Sequence, residues 1–218
     1  MQKKRTRFVC LTFAAVLLTG CGKQDIPEGA VSSTVPVQSA GSSENSVPAE
    51  SAGETAPSDG KFNETVYEQV CRDIRVADTV ITVPGTLKDC GSHFSAEFVL
   101  LDEKNGLLTY KLLYDGTGIG YMIYDGDAEL DQKTLETASF YCIFFFNDEG
   151  LPEISVGGIS ISDPPDKTLE VFGEPTERSL DDDGFGSMLY KIRDGYYLKV
   201  TQWDGDIYSI GVSAHPGS

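Results

Sequence analysis

The acidic stretch that begins at Asp125 has the spacing of a calcium-binding loop. Carboxylates occupy positions one, three, five, seven and twelve of that loop, as Asp125, Asp127, Glu129, Asp131 and Glu136. Leu130 stands at the sixth position, where the sharp turn of the loop requires glycine, and Gln132 replaces the usual apolar eighth residue. A solvated turn that leads into a strand is therefore favoured, and residues 181–184 are interpreted in the same way. No metal ligand is predicted.

Side chains arranged for catalysis are scarce. The chain has two histidines, His93 and His215, and the second falls in a tail that is expected to fray. No serine stands in a nucleophile elbow, and no zinc-protease or phosphate-cradling motif occurs. Paired carboxylates are numerous, but such pairs are expected by chance in so acidic a chain. We therefore predict a protein without catalytic residues or cofactors; a deep pocket around His93 lined with carboxylates would instead indicate an enzyme.

The cysteines fit an extracytoplasmic protein only in part. After the two cysteines near the N-terminus come Cys71, Cys90 and Cys142, an odd number for disulfide pairing. Cys142 lies in a run of aromatic and aliphatic residues, 140–146, and is predicted to be a small buried apolar side chain. Cys71 and Cys90 either form a disulfide or remain free, and neither has the spacing of a metal ligand or a redox pair.

An export signal begins the sequence. Lys3, Lys4, Arg5 and Arg7 precede an apolar run over residues 8–18. This run has the length of a signal-peptide core and is too short to span a bilayer. The positions around its end carry the residues Leu-Thr-Gly-Cys, at 18–21.

That short motif resembles the lipobox of bacterial lipoproteins. In that family the cysteine thiol receives a diacylglycerol, the signal is cut before it, and the cysteine becomes the first residue. The resemblance implies a signal peptide over residues 1–20 and lipid attachment at Cys21. It also implies a location on the extracytoplasmic face of a cell membrane, since two acyl chains suffice for stable anchoring in the bilayer. The alternative is an ordinary secretory signal that is cleaved near Gly20 and leaves a free cysteine.

The chain is strongly acidic. Its 218 residues include 17 Lys and Arg against 34 Asp and Glu, a net charge of -17. Residues 1–20 contain four basic and no acidic residues, so 13 basic and 34 acidic residues remain after cleavage, a net charge of -21. Such a chain is repelled by phosphates and anionic headgroups, so no nucleic-acid partner is expected. Charge of this size usually serves solubility, and only sometimes a cation or a basic partner.

Composition divides the chain into a tether and a folded module. Residues 23–60 are rich in Ser, Pro, Ala, Gly and Glu and contain no aromatic residue, so they cannot bury enough apolar surface to fold. We predict a lipid anchor and disordered tether over 21–60, with a reach of roughly 30 to 40 Å. A tether of this kind after a lipobox resembles surface lipoproteins of Gram-positive bacteria. Residues 61–218 hold every tyrosine and the single tryptophan and are predicted to form one globular module.

Two stretches of the module share one pattern. The first has Ile-x-Val at 74–76, an alternating apolar segment at 80–83, and Thr-Leu at 86–87 before Gly91. The second has Ile-x-Val at 154–156, an alternating segment at 159–162, and Thr-Leu at 168–169 before Gly173. Each indicates strand, turn, strand, short helix and glycine stop, although Ile-x-Val is common in strands. We predict two tandem helix-plus-sheet repeats, over about 74–150 and 154–212.

Local signals predict short helices beside antiparallel strands. Apolar residues recur every four positions from Phe62 to Ile74, which predicts a helix over 64–72. A second helix is predicted to have Asp163 as its cap, Pro164 in its first turn and Gly173 at its end. Strands are predicted at 95–101, 107–114, 119–124, 139–146, 187–192, 196–203 and 207–212. The fold class is α+β, an antiparallel sheet with short helices packed on one face and the most apolar strand, 139–146, at its centre.

The second half carries a family resemblance. Residues 158–176, Gly-Ile-Ser-Ile-Ser-Asp-Pro-Pro-Asp-Lys-Thr-Leu-Glu-Val-Phe-Gly-Glu-Pro-Thr, with the strand residues 197–200 and 206–210, resemble the repeat of the β-lactamase-inhibitor-protein fold. A similar unit occurs in small bacterial lipoproteins of the outer-membrane assembly type. The likeness covers 154–212 well and 74–124 loosely, and it implies two tandem units whose exposed sheet face grips a partner protein. The inhibitor's disulfide pattern is not reproduced and no family contact residue can be placed here, so inhibition of an enzyme is not implied.

The strand at 196–203 carries the candidate binding residues. Alternation puts Leu198, Val200 and Gln202 on one face and four residues on the other: Tyr197, Lys199, Thr201 and Trp203. If helices cover the first face, the second exposes aromatic side chains among polar ones, as partner-binding surfaces do. The alternative is that these aromatics pack against the neighbouring half.

We therefore predict a lipid-anchored, non-enzymatic module that binds a protein or a cell-envelope component. The alternative is a structural or accessory lipoprotein that self-associates or joins a membrane complex.

Overall fold

The first helix of the folded region has the bounds that the sequence predicts. The computed structural model describes residues 61–215; the predicted signal peptide, the Cys21 anchor, the tether and the last three residues lie outside the described residues. Helix α1 is Glu64–Arg72. Asn63 caps it, because its Oδ1 accepts a hydrogen bond from the Val66 N–H at 3.1 Å. The four-residue periodicity buries one side of the helix, with Tyr67, Val70 and Cys71.

The described region contains three further helices and many short strands. The helices are α2 (Leu87–Cys90), α3 (Gln132–Thr137) and α4 (Asp166–Phe172). The strands are β1 (Ile74–Val76), β2 (Thr79–Ile81), β3 (Gly85–Thr86), β4 (Phe94–Asp102), β5 (Leu107–Tyr114), β6 (Thr117–Asp125), β7 (Ser139–Phe140), β8 (Cys142–Phe146), β9 (Ile154–Val156), β10 (Ile159–Ser160), β11 (Glu177–Leu180), β12 (Phe185–Arg193), β13 (Tyr196–Trp203) and β14 (Asp206–Ala214). Within residues 61–215, no helix is both long enough and apolar enough to cross a membrane.

The strands form a large sheet of eight strands, a small sheet of four, and a separate antiparallel pair, β3 with β7. The large sheet has the order β11-β12-β13-β14-β8-β6-β5-β4, and each neighbouring pair is antiparallel. The small sheet has the order β10-β9-β1-β2, with Ile74 opposite Val156. The predicted central strand is confirmed, because β8 joins β14 to β6; the predicted segment is divided at Tyr141 into β7 and β8.

Tight turns connect neighbouring strands of the large sheet. Asp115 and Gly116 join β5 to β6 with φ values of 48° and 77°, and Asp204 and Gly205 join β13 to β14 with φ values of 55° and 86°. Two consecutive positive φ values define the hairpin turn whose twist matches that of the strands, and the Asp-Gly sequence is suited to it. These turns set the local hairpins that the sequence predicts.

The core lies on one face of the large sheet. Alternate residues of its strands, among them Leu198, Val200 and Phe145, are fully buried in a cluster with residues of the small sheet. The buried apolar side chains of all four described helices belong to the same cluster: Tyr67, Val70, Cys71, Leu87, Cys90, Leu135 and Phe172. The described region is therefore a sheet-rich, broadly α+β fold with its short helices on one side.

The predicted cap of the second helix is wrong. Helix α4 begins at Asp166, its N-cap residue is Pro165, and the cap makes no side-chain hydrogen bond. Asp163 instead accepts a hydrogen bond from the Ser160 N–H at 2.8 Å. A residue that precedes proline is disfavoured in the helical region, so Pro165 keeps Pro164 out of the helix. The predicted end is confirmed, because Gly173 terminates the helix with a φ of 79°.

The disulfide alternative for Cys71 and Cys90 is excluded. Cys71, Cys90 and Cys142 are free and buried. The prediction that Cys142 is a small buried apolar residue is confirmed, since its side chain lies in the middle of the large sheet.

Candidate functional site

The candidate residues of β13 lie on the face of the large sheet that is turned away from the core. Leu198 and Val200 are fully buried in the core, so alternation directs Tyr197, Lys199 and Trp203 to the opposite side. We call this side the outer face. It also carries Phe144 and Tyr121, which share a register row with Lys199 through Gly211. None of the four described helices covers it, because their buried apolar side chains belong to the core cluster on the other side.

Four aromatic rings form a continuous row across the outer face. Trp203 lies 6.1 Å from Tyr208, Tyr208 lies 6.2 Å from Phe146, and Phe146 lies 5.2 Å from Tyr121, measured between ring centroids. These rings, the aromatic row, come from β13, β14, β8 and β6. Trp203 is at its end and is 52% exposed, so its side chain is not part of the core.

Thr201 lies on the outer face but is not available to a partner. Its side chain is 4% exposed, and its Oγ1 shares a hydrogen bond of 2.6 Å with the Ser209 Oγ. A second hydroxyl pair on the same row joins Ser179 and Ser187 at 3.0 Å. These pairs cross-link neighbouring strands, so the geometry assigns Thr201 to the sheet and not to a binding surface.

Two lysines lie along one register row of the outer face. Lys199 is partly buried, and desolvation lowers its pKa, while the nearby Glu177 opposes that shift. Lys111 lies on β5 in the same row, between Tyr121 of β6 and Glu97 of the edge strand β4, and its side chain extends over Gly118. The hydrocarbon stems of such lysines can cover apolar surface while their charges stay near water.

Phe144 fills the middle of the outer face, and the sequence analysis did not identify it as a feature of this face. It is 2% exposed, and its ring lies over the backbone of Gly211, where an added Cβ would come within 2.6 Å of the ring. The signal that could have revealed it is the glycine itself, because a glycine inside a strand often marks a close approach by another group.

Two acidic turns meet beside Trp203, and a third begins beside Tyr208. The turn at 181–184 is bonded to the β13–β14 turn, because the Asp204 N–H donates to the Gly184 carbonyl at 3.2 Å. The third turn, 147–150, begins beside β14, because the Asn147 N–H donates to the Tyr208 carbonyl at 2.9 Å. Together these turns carry seven carboxylates and no basic residue: Asp148, Glu149, Asp181, Asp182, Asp183, Asp204 and Asp206. This end of the outer face is strongly negative.

The calcium-loop spacing does not produce a cluster of ligands. The Asp131 carboxylate caps α3 by accepting hydrogen bonds from the Thr134 N–H at 3.0 Å and the Thr134 hydroxyl at 2.8 Å, and these bonds lower its pKa. Asp125 lies 3.1 Å from His215. Within residues 61–215, no group of three or more metal-binding side chains converges. The predicted turn contains a short helix that the sequence analysis missed.

The two histidines lie in separate places, each beside one aspartate. His93 Nδ1 is 2.8 Å from Asp115 Oδ1, and both side chains are well exposed. His215 Nε2 is 3.1 Å from Asp125 Oδ1, with the Tyr141 ring 4.1 Å from the imidazole.

A pocket of about 460 Å³ lies against α1, and neither histidine lines it. Arg193 lines the pocket, with its guanidinium 4.0 Å above the Tyr196 ring and 3.1 Å from the Glu64 carboxylate. Cys71 also lines the pocket, but burial raises the pKa of its thiol, which therefore stays protonated. The pocket offers ion-paired groups and a protonated thiol, an arrangement without an activated nucleophile.

Comparison of the chain with protein-family models, with curated proteins and with solved structures found no match. The chain is therefore assigned to no family.

Proposed function

We propose that this chain is a lipid-anchored lipoprotein on the extracytoplasmic face of a bacterial membrane, where it binds a protein or a cell-envelope component without catalysis. The binding surface in this proposal is the outer face, with Trp203 as its main contact. Tyr197 and Lys199 lie further along β13 on the same face, whereas Thr201 holds the sheet together.

The observation that carries the proposal is the exposure of Trp203 at the end of the aromatic row. A tryptophan that is 52% exposed on a sheet face leaves a large apolar surface in water. Tryptophan and tyrosine supply much of the binding energy at protein interfaces because they bury a large area with few rotatable bonds. The Tyr208 ring packs edge-on against Trp203 and is itself beside Phe146. This packing restricts the indole and so reduces the entropy lost when a partner binds.

We also propose that the two halves of the module are tandem repeats. Strand, turn, strand, helix and glycine occur in the same order from β1 to Gly91 and from β9 to Gly173. The first strands of the two units, β1 and β9, pair with each other at the middle of the small sheet. Such an arrangement supports a duplicated unit whose two copies share one outer face.

The anchoring part of the proposal depends on Cys21. The chain should incorporate a clickable palmitate analogue when it is expressed in bacteria, and Cys21→Ser should remove both the label and the membrane association. Cys142→Ser, which changes a buried thiol, is the control and should keep the label. Labelling that persists in Cys21→Ser would contradict the proposed anchor.

The binding part is tested by crosslinking in intact cells that carry the full chain. We expect one envelope component to be captured by the native chain and lost with Trp203→Ala. Leu180→Ala is the matched control, because Leu180 is 61% exposed on β11 but, opposite Gly186, points to the other side of the sheet. Thermal unfolding of both variants checks that they fold. Capture that survives Trp203→Ala, or that is lost equally in Leu180→Ala, would refute a binding site at Trp203.

A structural role by self-association is the second candidate, and the edge strand β4 favours it. This nine-residue strand is the last in the large sheet and carries Phe98 and Val99, which are 37% and 36% exposed. An exposed edge with apolar side chains can pair with the same edge of another copy, although the bulge between Phe98 and Leu100 hinders such pairing. Sedimentation of the full chain in detergent separates the candidates: a dimer that Val99→Lys dissociates supports self-association, and a monomer rejects it.

A further inference from the structure

The exposed end of the aromatic row is the most negative part of the outer face. The turns at 181–184 and 204–206 meet there, and the turn at 147–150 begins beside Tyr208. Each of the three contains at least two carboxylates without a lysine or arginine. Trp203 lies between two of them in the sheet, since it is opposite Phe185 in β12 and opposite Asp206 in β14. The exposed indole is thus bordered by Asp206 at the start of β14 and by the acidic turn 181–184 that leads into β12.

This combination is suited to a cationic ligand. The face of an indole ring attracts an ammonium or guanidinium group through its quadrupole, and tryptophan does so more strongly than tyrosine or phenylalanine. Carboxylates around the ring add attraction at longer range and speed the encounter with a positively charged partner. Neither effect alone selects a basic group, but both favour one at the same place.

The lysines of the outer face do not neutralise the negative charge around Trp203. Lys199 is four residues from Trp203 along β13, roughly 13 Å at the usual rise of a strand. That separation exceeds the screening length of about 8 Å at physiological ionic strength. Glu177 also offsets the charge of Lys199. The net charge around Trp203 at this end of the outer face therefore stays negative.

We infer that the partner bound by the outer face is a protein that presents a lysine- or arginine-rich segment to Trp203 and the surrounding acidic turns. This inference depends on the proposed binding function and specifies the chemistry of the partner. A basic side chain lies over the Trp203 ring, and neighbouring basic residues face the carboxylates of Asp204, Asp206 and Asp182. The rest of the partner contacts the aromatic row.

The single tryptophan allows a direct test with the full chain in detergent. The probe is a synthetic peptide of alternating lysine and glycine, and the signal is the fluorescence of Trp203, the one tryptophan in the sequence. We expect the peptide to change the emission saturably and to bind more weakly as salt is added. Peptides with glutamate or serine in place of lysine should leave the emission unchanged. Equal binding of the serine peptide would overturn the inference.

Two matched double variants separate local from overall charge. Asp204→Asn with Asp206→Asn removes two carboxylates beside Trp203, and asparagine tolerates the positive φ of position 204. We expect this variant to bind the lysine peptide about five- to tenfold more weakly. Glu103→Gln with Glu129→Gln makes the same change in net charge at two exposed positions beyond the opposite ends of the strands and should bind like the native chain. Equal weakening in both variants would refute a local site.

The outcome in cells distinguishes this inference from the binding function. The inference is supported if the partner crosslinked through Trp203 is also lost in the Asp204→Asn, Asp206→Asn variant. A partner that needs Trp203 but is captured normally by that variant would overturn the basic-segment inference and leave the binding function standing. Absence of any Trp203-dependent partner, together with no response to the lysine peptide, would overturn both. Thermal unfolding of each variant confirms that the chain is folded.

Discussion

Two glycines of β6 should respond very differently to the same added methyl group. An alanine Cβ at Gly120 would overlap the carbonyl oxygen of Phe144 in β8 and lie 2.9 Å from its carbonyl carbon. An alanine Cβ at Gly118 would meet the end of the Lys111 side chain, which can swing away. Neither glycine has a positive φ, so alanine strains neither backbone. The comparison therefore isolates the close approach of β6 to β8.

The expected costs follow from what must move in each variant. In Gly120→Ala a backbone has to shift, which separates the strands that join the two halves of the large sheet, at a cost of about 3 kcal/mol. In Gly118→Ala only a lysine rotates, so the free energy of unfolding should change by less than about 0.5 kcal/mol. For a module of this size, 3 kcal/mol corresponds to a fall in the thermal midpoint of roughly 6 to 12 °C.

Thermal and urea unfolding of the two variants, followed by circular dichroism, measure this difference. The urea midpoint should fall in Gly120→Ala and stay close to the native value in Gly118→Ala, without a change in the dependence of unfolding free energy on urea in either. Thermal midpoints within about 2 °C of each other, less than the shift expected from 1 kcal/mol, would refute the close β6–β8 packing and with it the single eight-stranded sheet.

Two further predictions concern titratable groups. Hydrogen bonds from Thr134 lower the pKa of Asp131 in the folded chain. The stabilising contribution of this carboxylate is therefore present above its ordinary pKa and is lost as the pH falls through the folded value. The difference in thermal midpoint between the native chain and Asp131→Ala should shrink on acidification, and a constant difference would contradict the cap. Burial raises the pKa of the Cys90 thiol to about 12 and raises those of Cys71 and Cys142 as well. A maleimide should therefore label these three thiols only after unfolding in urea, as read by mass spectrometry, and dithiothreitol should leave the thermal midpoint unchanged; a fall on reduction would indicate a disulfide.

Most of the secondary structure could be predicted from the sequence because its signals are local. Four-residue apolar spacing indicated the bounds of α1, and the turn residues on either side indicated those of β5 and β13. Asp-Gly pairs marked the hairpin turns. The cap of α4 was mispredicted because two adjacent prolines delay the helix, and α3 was missed because its short sequence lacks an apolar repeat.

The candidate site could be predicted only in part. Alternation along β13 placed Trp203 and Tyr197 on the face opposite the core, and composition alone indicated an acidic chain with an N-terminal export signal. The same alternation put Thr201 on that face, but its hydrogen bond to Ser209 depends on the pairing of β13 with β14. The alternation along a strand predicts which side of the sheet a residue faces, but it does not predict which residues lie beside it on the adjacent strands.

Tertiary structure decided which strands lie side by side. Phe146 and Tyr121 join Tyr208 and Trp203 in one row because β8 pairs with β14, more than sixty residues later in the chain, and with β6. The same pairing places the Phe144 ring over Gly211 and brings the acidic turn at 147–150 beside Tyr208. Period-two patterning cannot encode such neighbours, since register between distant strands is set by how their side chains pack across the whole sheet. Local sequence patterns therefore determine which residues of the site face outward, and the pairing of distant strands brings those residues together into one surface.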